Sequence, residues 1–94
     1  MERIIAMIKK DFKVISETGL HARPATKLVQ EASRYSSHIE LQYGHKTVNV
    51  KSIMGVMSLG MGPDAEFTLI IDGPDEEEAM KGLEEFLDRE RIAN

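Results

Sequence analysis

The chain has 94 residues, of which 41% are hydrophobic and 30% charged, and its formal net charge is −4; this predicts one soluble globular domain with a modest core. A negative balance gives no support for general nucleic-acid binding, which needs a basic face. Cysteine is absent, which excludes disulfides, a thiol nucleophile and cysteine-ligated metal sites. No apolar run could span a bilayer, and the charges of Lys9-Lys10 follow a short apolar stretch, the reverse of a signal peptide. We expect a cytoplasmic protein without membrane insertion.

The first half of the chain is predicted to form a strand, a helix and a hairpin. Alternation of apolar and polar residues over Phe12–Ser16 predicts a first strand, and helical spacing of apolar residues predicts a helix over Ala22–Ala32. Alternation over Ile39–Tyr43 predicts a second strand. Gly44-His45 suits a type II′ turn leading to a short third strand. The apolar residues that carry these patterns are Phe12, Val14, Ala25, Leu28, Val29, Ala32, Ile39, Leu41, Val48 and Val50.

The second half is predicted to form a short helix, a strand and a longer helix. Ser52 suits the N-cap of a helix that runs to about Leu59, and a loop follows over Gly60–Asp64. A fourth strand is predicted by the alternation of Phe67, Leu69 and Ile71, and a third helix after Gly73-Pro74 by the apolar stripe of Ala79, Leu83, Phe86 and Leu87. We interpret the acidic run Asp75–Glu78 as a complement to the helix dipole and a solvated face.

Strands that are apolar on one face predict an antiparallel or mixed sheet with helices on a single face, an α+β sandwich. A ferredoxin-like fold shares the same element order, so the order alone leaves both open.

The chemistry of the chain is concentrated at His21, which falls between the first strand and the first helix. A helix N-terminus presents N–H groups without helical partners and the positive end of the dipole, and it binds phosphate readily. Histidine can be a neutral nucleophile near physiological pH, and the Arg23 guanidinium suits phosphate oxygens. Ala22 and Pro24 would complete the cradle; Pro24 lacks an N–H that the first turn does not need. Taken alone, these residues also fit an ordinary helix start.

Two stretches resemble one family. The stretch Gly19-Leu20-His21-Ala22-Arg23-Pro24-Ala25 resembles the active-site signature of HPr, the histidine-containing phosphocarrier of the sugar phosphotransferase system. The stretch Val50–Gly60 is similar to the regulatory-serine segment of the Gram-positive HPr proteins. The resemblance runs from about Phe12 to Leu87. It implies a single HPr domain over residues 1–94, with residues 1–8 as a short N-terminal extension; Met7 is an alternative initiator.

The resemblance implies a fold and a set of partners. The fold would be the open-faced β-sandwich of HPr, a four-stranded antiparallel sheet with three helices on one face in the order βαββαβα. His21 would be phosphorylated by Enzyme I and would pass the group to sugar-specific IIA proteins, with Arg23 contacting the phosphate. No cofactor or metal is implied, and the protein would be a carrier rather than an enzyme, and a monomer.

Ser52 is a helix cap on the residues alone, and the resemblance adds phosphorylation by HPr kinase/phosphorylase and recruitment of the catabolite control protein. Ile53, Met54 and Met57 are core residues on composition alone, whereas the family exposes such residues for partner docking. His38 and His45 are interpreted as strand-edge or turn residues rather than metal ligands, and Tyr35 and Phe12 as packing residues. Alternatives to a carrier are a co-repressor whose carrier step is vestigial and a ligand-binding module without phosphoryl chemistry.

Overall fold

Seven elements follow one another along residues 7–94, the part of the chain that the computed structural model describes. Their order is strand, helix, strand, strand, helix, strand, helix, as predicted. The elements are β1 (Ile8–Lys13), α1 (Ala22–Ala32), β2 (His38–Tyr43), β3 (Lys46–Asn49), α2 (Ile53–Met57), β4 (Glu66–Asp72) and α3 (Glu76–Arg89).

The four strands form one sheet in the order β1-β4-β2-β3, and every pairing is antiparallel. The central strand β4 is paired on both sides, with Leu69 opposite Leu41 of β2 and Phe67 opposite Phe12 of β1. The rings of Phe12 and Phe67 stack with centroids 5.5 Å apart. The prediction of a packing role for Phe12 is therefore confirmed, and the sheet is apolar on one face only, as expected of an antiparallel sheet.

The first strand differs from its prediction. It begins at Ile8 and ends at Lys13, whereas Phe12–Ser16 was expected. Ile8 pairs with Ile71, so the predicted N-terminal extension of residues 1–8 is too long by at least this residue; residues 1–6 lie outside the described part. β1 is an edge strand with exposed charged side chains, a usual feature of sheet edges, and these hide the alternation. Val14 is buried because it passes between the chain end and a loop: it forms an isolated bridge with Ala93 and accepts from the Asp64 N–H.

Helix α1 has the bounds and the buried stripe that its sequence predicts, with Ala25, Leu28, Val29 and Ala32 in the core. It packs against α2 and α3, and α3 packs against β1 and β4. Burial of a side chain such as Leu28 stabilises the fold by about 2 kcal/mol. The predicted stripe of α3 is likewise buried, with Met80 in addition. The core therefore lies between the helices and the sheet.

Smaller differences concern turns and helix ends. The β2–β3 hairpin has the predicted two-residue turn, with Gly44 at φ +62°, the conformation that favours glycine at the first central position of a type II′ turn. β3 ends at Asn49, but Val50 is buried and donates to the Ile39 carbonyl. Helix α2 ends at Met57 rather than Leu59. No helix within residues 7–94 combines the length and the apolar character needed to cross a bilayer.

Candidate functional site

His21 is the N-cap of α1, in extended conformation with φ −84° and ψ −169°, and its side chain makes no capping hydrogen bond. The residue is exposed. The first helical hydrogen bond runs from the Ala25 N–H to the His21 carbonyl at 2.9 Å, so the N–H groups of Ala22 and Arg23 precede the helical ladder. Neither N–H has an acceptor among residues 7–94. His21 is therefore exposed at a helix end whose first two N–H groups are free.

The backbone before His21 is fixed by the loop that leads into β4. The Leu20 N–H donates to the Met61 carbonyl at 2.9 Å, and the Leu20 side chain is buried. Gly19 is at φ +75°, and a Cβ at this position would lie 2.6 Å from the Met61 oxygen and 2.8 Å from the Gly62 Cα. Both the backbone conformation and the space require glycine here. The position of His21 is thus set by contacts of Gly19 and Leu20 with the loop at Met61 and Gly62.

His21 opens onto a shallow pocket of about 210 Å³. Predicted site residues in its wall are His21, Arg23 and Pro24, whereas Ala22 contributes its free N–H and does not line the pocket. The remaining lining residues are Ser16, Lys27, Glu90, Arg91 and Ile92. None of these five is predicted from the sequence as a site residue. Lys27 could have been found, because it lies one helical turn after Arg23.

The pocket is electropositive in a chain whose net charge is negative. Its lining carries Arg23, Lys27 and Arg91 against one carboxylate, that of Glu90. Glu90 pairs with Lys27 at 3.1 Å. Arg23 has no hydrogen-bond or ion-pair partner among residues 7–94 and is exposed. A guanidinium in this state is free to bind an anion.

Arg91 reaches the pocket from the end of α3. The Ile92 N–H donates to the Leu87 carbonyl at 2.9 Å and the Arg91 N–H to the Asp88 carbonyl at 3.1 Å, the two bonds of a Schellman motif. Arg91 is at φ +56°. The Ile15 N–H donates to the Ile92 carbonyl at 2.9 Å, so the end of the chain is bonded to the segment that leads to His21.

Ser52 is the N-cap of α2, and its Oγ accepts from the Gly55 N–H at 3.0 Å. The capping role predicted from the sequence is therefore present. The side chain is half-buried. A Cβ on Gly55 would lie 3.3 Å from the Ser52 Oγ, so glycine leaves the hydroxyl its space.

The apolar face of α2 is open to solvent. Ile53, Met54 and Met57 are 42%, 83% and 44% exposed, and we call these three residues the α2 patch. Val56, in the same helix, is buried. The composition-based interpretation of the three as core residues is therefore wrong, and the exposure expected from the resemblance is observed.

The other histidines lie on β2 and in the hairpin turn. His38 Nε2 is 3.0 Å from Glu40 Oε2, and His45 is exposed. Tyr35 is half-buried and packs against the core, where burial, and then the charge of Glu31, raises the pKa of its hydroxyl. In the described part of the chain, no three His, Cys, Asp or Glu side chains are grouped so as to hold a metal ion.

The acidic run at the start of α3 does more than complement the dipole. Asp75 accepts from the Ser36 N–H at 2.8 Å, the Ser37 N–H at 2.9 Å and the Ser37 hydroxyl at 2.5 Å. Glu76 accepts from the Gly73 N–H at 3.0 Å. The Ser37 hydroxyl, followed by the Ser36 N–H, lowers the pKa of the Asp75 carboxyl. The interpretation of the whole run as a solvated face is therefore wrong for these two residues.

Residues 8–89 match the family described as the PTS HPr component phosphorylation site. The chain belongs to the HPr family, the phosphocarriers of the phosphotransferase system. The family match spans His21, its free amides and Ser52 together, which separates this assignment from a ferredoxin-like module.

Solved structures agree. The histidine-containing phosphocarrier of a mycoplasma is 36% identical with a TM-score of 0.84, covering 90% of this chain and 98% of that one. HPr from Bacillus anthracis is 46% identical with a TM-score of 0.79 over 83% of this chain and 93% of its own. Crh, a Bacillus subtilis catabolite repression protein solved as a swapped dimer, is 47% identical with a TM-score of 0.70, over 82% and 88%. The HPr-like open-faced sandwich is thereby confirmed.

Proposed function

We propose that His21 accepts a phosphoryl group from Enzyme I and passes it to sugar-specific IIA proteins. The observation that carries this proposal is the exposed imidazole of His21 at the N-cap of α1, beside the unpaired N–H groups of Ala22 and Arg23. Free amides at a helix N-terminus bind phosphate oxygens. The family match over residues 8–89 supports the assignment.

The geometry favours transfer over retention. A neutral ring nitrogen of His21 attacks the phosphorus of the donor, the donor's bond to phosphorus breaks, and the imidazole proton passes to the departing donor group. The phosphoryl oxygens then lie against the Ala22 and Arg23 amides, and the Arg23 guanidinium faces them. Because the pocket is shallow and His21 is exposed, the next acceptor can approach the phosphorus directly.

A direct experiment is incubation with Enzyme I and phosphoenolpyruvate, followed by mapping of the modified residue. We expect one acid-labile, base-stable phosphate per chain, on His21. A chain that stays unmodified while a known HPr is phosphorylated in the same mixture contradicts the proposal, as does modification at His38 or His45.

Ser52 is proposed as a regulatory phosphorylation site for HPr kinase/phosphorylase. Its Oγ already faces the N-terminal amides of α2 through the Gly55 N–H, so a phosphate there would be locally favourable. The new charge would stand next to Ile53, at the rim of the α2 patch. A charge at the rim of an apolar contact disfavours one partner and attracts another of opposite sign.

The α2 patch is proposed as a docking surface for Enzyme I and the IIA proteins, and for the catabolite control protein when Ser52 is phosphorylated. Methionine adapts to more than one partner surface, and Met54 is the most exposed of the three. Ser52→Asp should raise the KM for Enzyme I several-fold. An unchanged KM, with kinase-phosphorylated protein also unaffected, contradicts this part of the proposal.

A second candidate function is that of a Ser-phosphorylated co-repressor, favoured by the 47% identity to Crh. The two functions differ at His21, because a co-repressor with a vestigial carrier step gains no phosphate from Enzyme I. The phosphorylation experiment above therefore decides between them. We propose a cytoplasmic monomer as the working form, and sedimentation measures the oligomeric state directly.

A further inference from the structure

An arginine in a glycine-like conformation lines the His21 pocket. Arg91 occupies the position after the C-cap Glu90 of α3 with φ +56°. This position in a Schellman motif is usually glycine, because a Cβ is disfavoured in the left-handed region. Residues held in disfavoured backbone conformations cluster at functional sites. Asp64 is the other such non-glycine residue in the described chain, and aspartate adopts this conformation more often than arginine does.

The motif does not need the Arg91 side chain. Both of its hydrogen bonds are made by backbone groups, from the Arg91 and Ile92 N–H groups to α3 carbonyls. The apolar contact that accompanies such motifs is available from Ile92 and Leu87, which are both buried. Glycine would therefore serve the fold at least as well, and the arginine side chain calls for another explanation.

The surrounding charges leave the Arg91 guanidinium available. Glu90 is the single carboxylate among the pocket residues, and it pairs with Lys27 at 3.1 Å and lies 3.9 Å from Arg89. Arg91 has no carboxylate partner within residues 7–94 and is exposed. Two unpaired guanidinium groups, Arg23 on α1 and Arg91 after α3, thus border the pocket that contains His21.

We propose that Arg91 is a second phosphoryl-binding residue, which contacts the group on His21 from the side opposite α1. This inference rests on the proposed function. A phosphoryl group carries about two negative charges and three acceptor oxygens, and one forked guanidinium engages two of them. The free amides and Arg23 bind phosphoryl oxygens from the α1 side, and Arg91 binds the oxygen that they leave exposed. Its backbone, fixed by the two hydrogen bonds to α3, anchors the side chain at the edge of the pocket.

The test is Arg91→Gly, which removes the guanidinium and fits the backbone. Titration with inorganic phosphate, followed by the His21 imidazole resonances, should show about five- to tenfold weaker binding than in the wild type. At equilibrium with Enzyme I, the fraction of the phosphoryl group on His21 should fall by a similar factor. The melting temperature should stay the same or rise. A residue that only caps the helix would change the melting temperature alone.

Two further variants keep the test decisive. Arg91→Lys retains a charge without the fork and should weaken binding less than Arg91→Gly. Arg34→Ala removes one positive charge at the other end of α1, where Arg34 pairs with Glu31, and should leave phosphate binding unchanged. Phosphate affinity unchanged in Arg91→Gly, or weakened equally in Arg34→Ala, overturns the proposal.

Failure of this inference is distinguishable from failure of the proposed function. Phosphoramidate is a small donor whose P–N bond breaks as the bond to imidazole forms, the imidazole proton leaving with ammonia. A wild-type chain that gains a phosphohistidine from neither Enzyme I nor phosphoramidate contradicts the carrier function itself. A wild type that gains it, with Arg91→Gly indistinguishable in affinity and equilibrium, contradicts only the role of Arg91.

Discussion

The N-termini of α1 and α3 solve the same problem in opposite ways. At α3, Asp75 to Glu78 bring carboxylates to the helix end, and the Glu76 side chain accepts from the Gly73 N–H. At α1 the first turn has no acidic residue, although neither N-cap, His21 or Asp75, makes a side-chain capping bond. Carboxylates at a helix N-terminus stabilise the fold, so α3 has a source of stability that α1 lacks. What α1 keeps is an end that an external anion can occupy.

The largest expected effect comes from removing the acceptor at the open end. His21→Ala should abolish phosphorylation by Enzyme I, at least a thousandfold below wild type, because no other ring nitrogen stands beside the free amides. Incorporation of phosphate from phosphoenolpyruvate measures it. The matched control is His45→Ala, an exposed histidine in the hairpin turn, which should be phosphorylated normally. Persistent phosphorylation of His21→Ala would contradict the assignment of the acceptor.

The next effect comes from making α1 resemble α3. Ala22→Glu places a carboxylate in the first turn of α1, where it should stabilise the fold by about 0.3–1 kcal/mol and slow phosphorylation at least tenfold by repelling the phosphoryl group. Thermal unfolding and the Enzyme I assay measure the two changes. Ala22→Gln, similar in size but neutral, should retain most of the activity. Equal rates in the two variants would show that the open helix end is not used for the anion.

A smaller effect is expected from neutralising the Asp75 carboxylate at the start of α3. Asp75→Asn should lower the melting temperature by several degrees without changing the rate of phosphorylation, because the Asp75 hydrogen bonds to Ser36 and Ser37 tie α3 to the start of β2. Ser37→Ala, which removes the hydroxyl partner, should lose part of the same stability, and the double variant should lose less than the sum. Additive losses would contradict the pairing.

The same pair gives a pH dependence with a defined sign. The hydrogen bonds lower the pKa of Asp75 in the folded state, so its contribution to stability is complete above the unfolded-state value of 3.8 and is lost as the pH falls through the folded value. The stability difference between wild type and Asp75→Asn should therefore be constant near neutrality and shrink below about pH 4. Chemical denaturation at several pH values measures it. A difference that grows on acidification would reverse the assignment.

The smallest effect concerns α2, whose N-terminus has a side-chain cap but no acidic residue in its first turn. Ser52→Ala removes the bond from the Gly55 N–H and should cost about 1 kcal/mol of unfolding free energy. Ser52→Asn, another favourable cap, should recover most of it while blocking the kinase. No loss in Ser52→Ala would mean that the cap is not needed in solution.

Local patterns in the sequence predict the parts of the molecule that local packing determines. The stripe of α1 and the alternation of β4 are regular because one face of each is buried. The start of the edge strand β1 cannot be predicted in this way, because Lys9 and Lys10 are exposed and show no apolar alternation. These residues belong to the strand because they pair with β4. Its position follows from contacts that are distant in sequence.

The candidate site likewise has a part that local sequence predicts and a part that depends on distant contacts. His21 and Arg23 belong to one short stretch, so the motif names them. Glu90 and Arg91 reach the pocket only because the end of the chain is bonded to Ile15 through Ile92, a contact without a local signal. Asp75 was misread for a similar reason, since its partners Ser36 and Ser37 lie far earlier in the chain.

The close approach of Gly19 to Met61 and Gly62 has a consequence for protein engineering. The acceptor histidine is carried by one loop, but the shape of that loop is set by a second segment about forty residues away, whose Met61 carbonyl also receives the Leu20 N–H. A seven-residue motif grafted onto another scaffold would keep its chemistry and lose its geometry. A successful transplant must therefore carry the two backbone segments together.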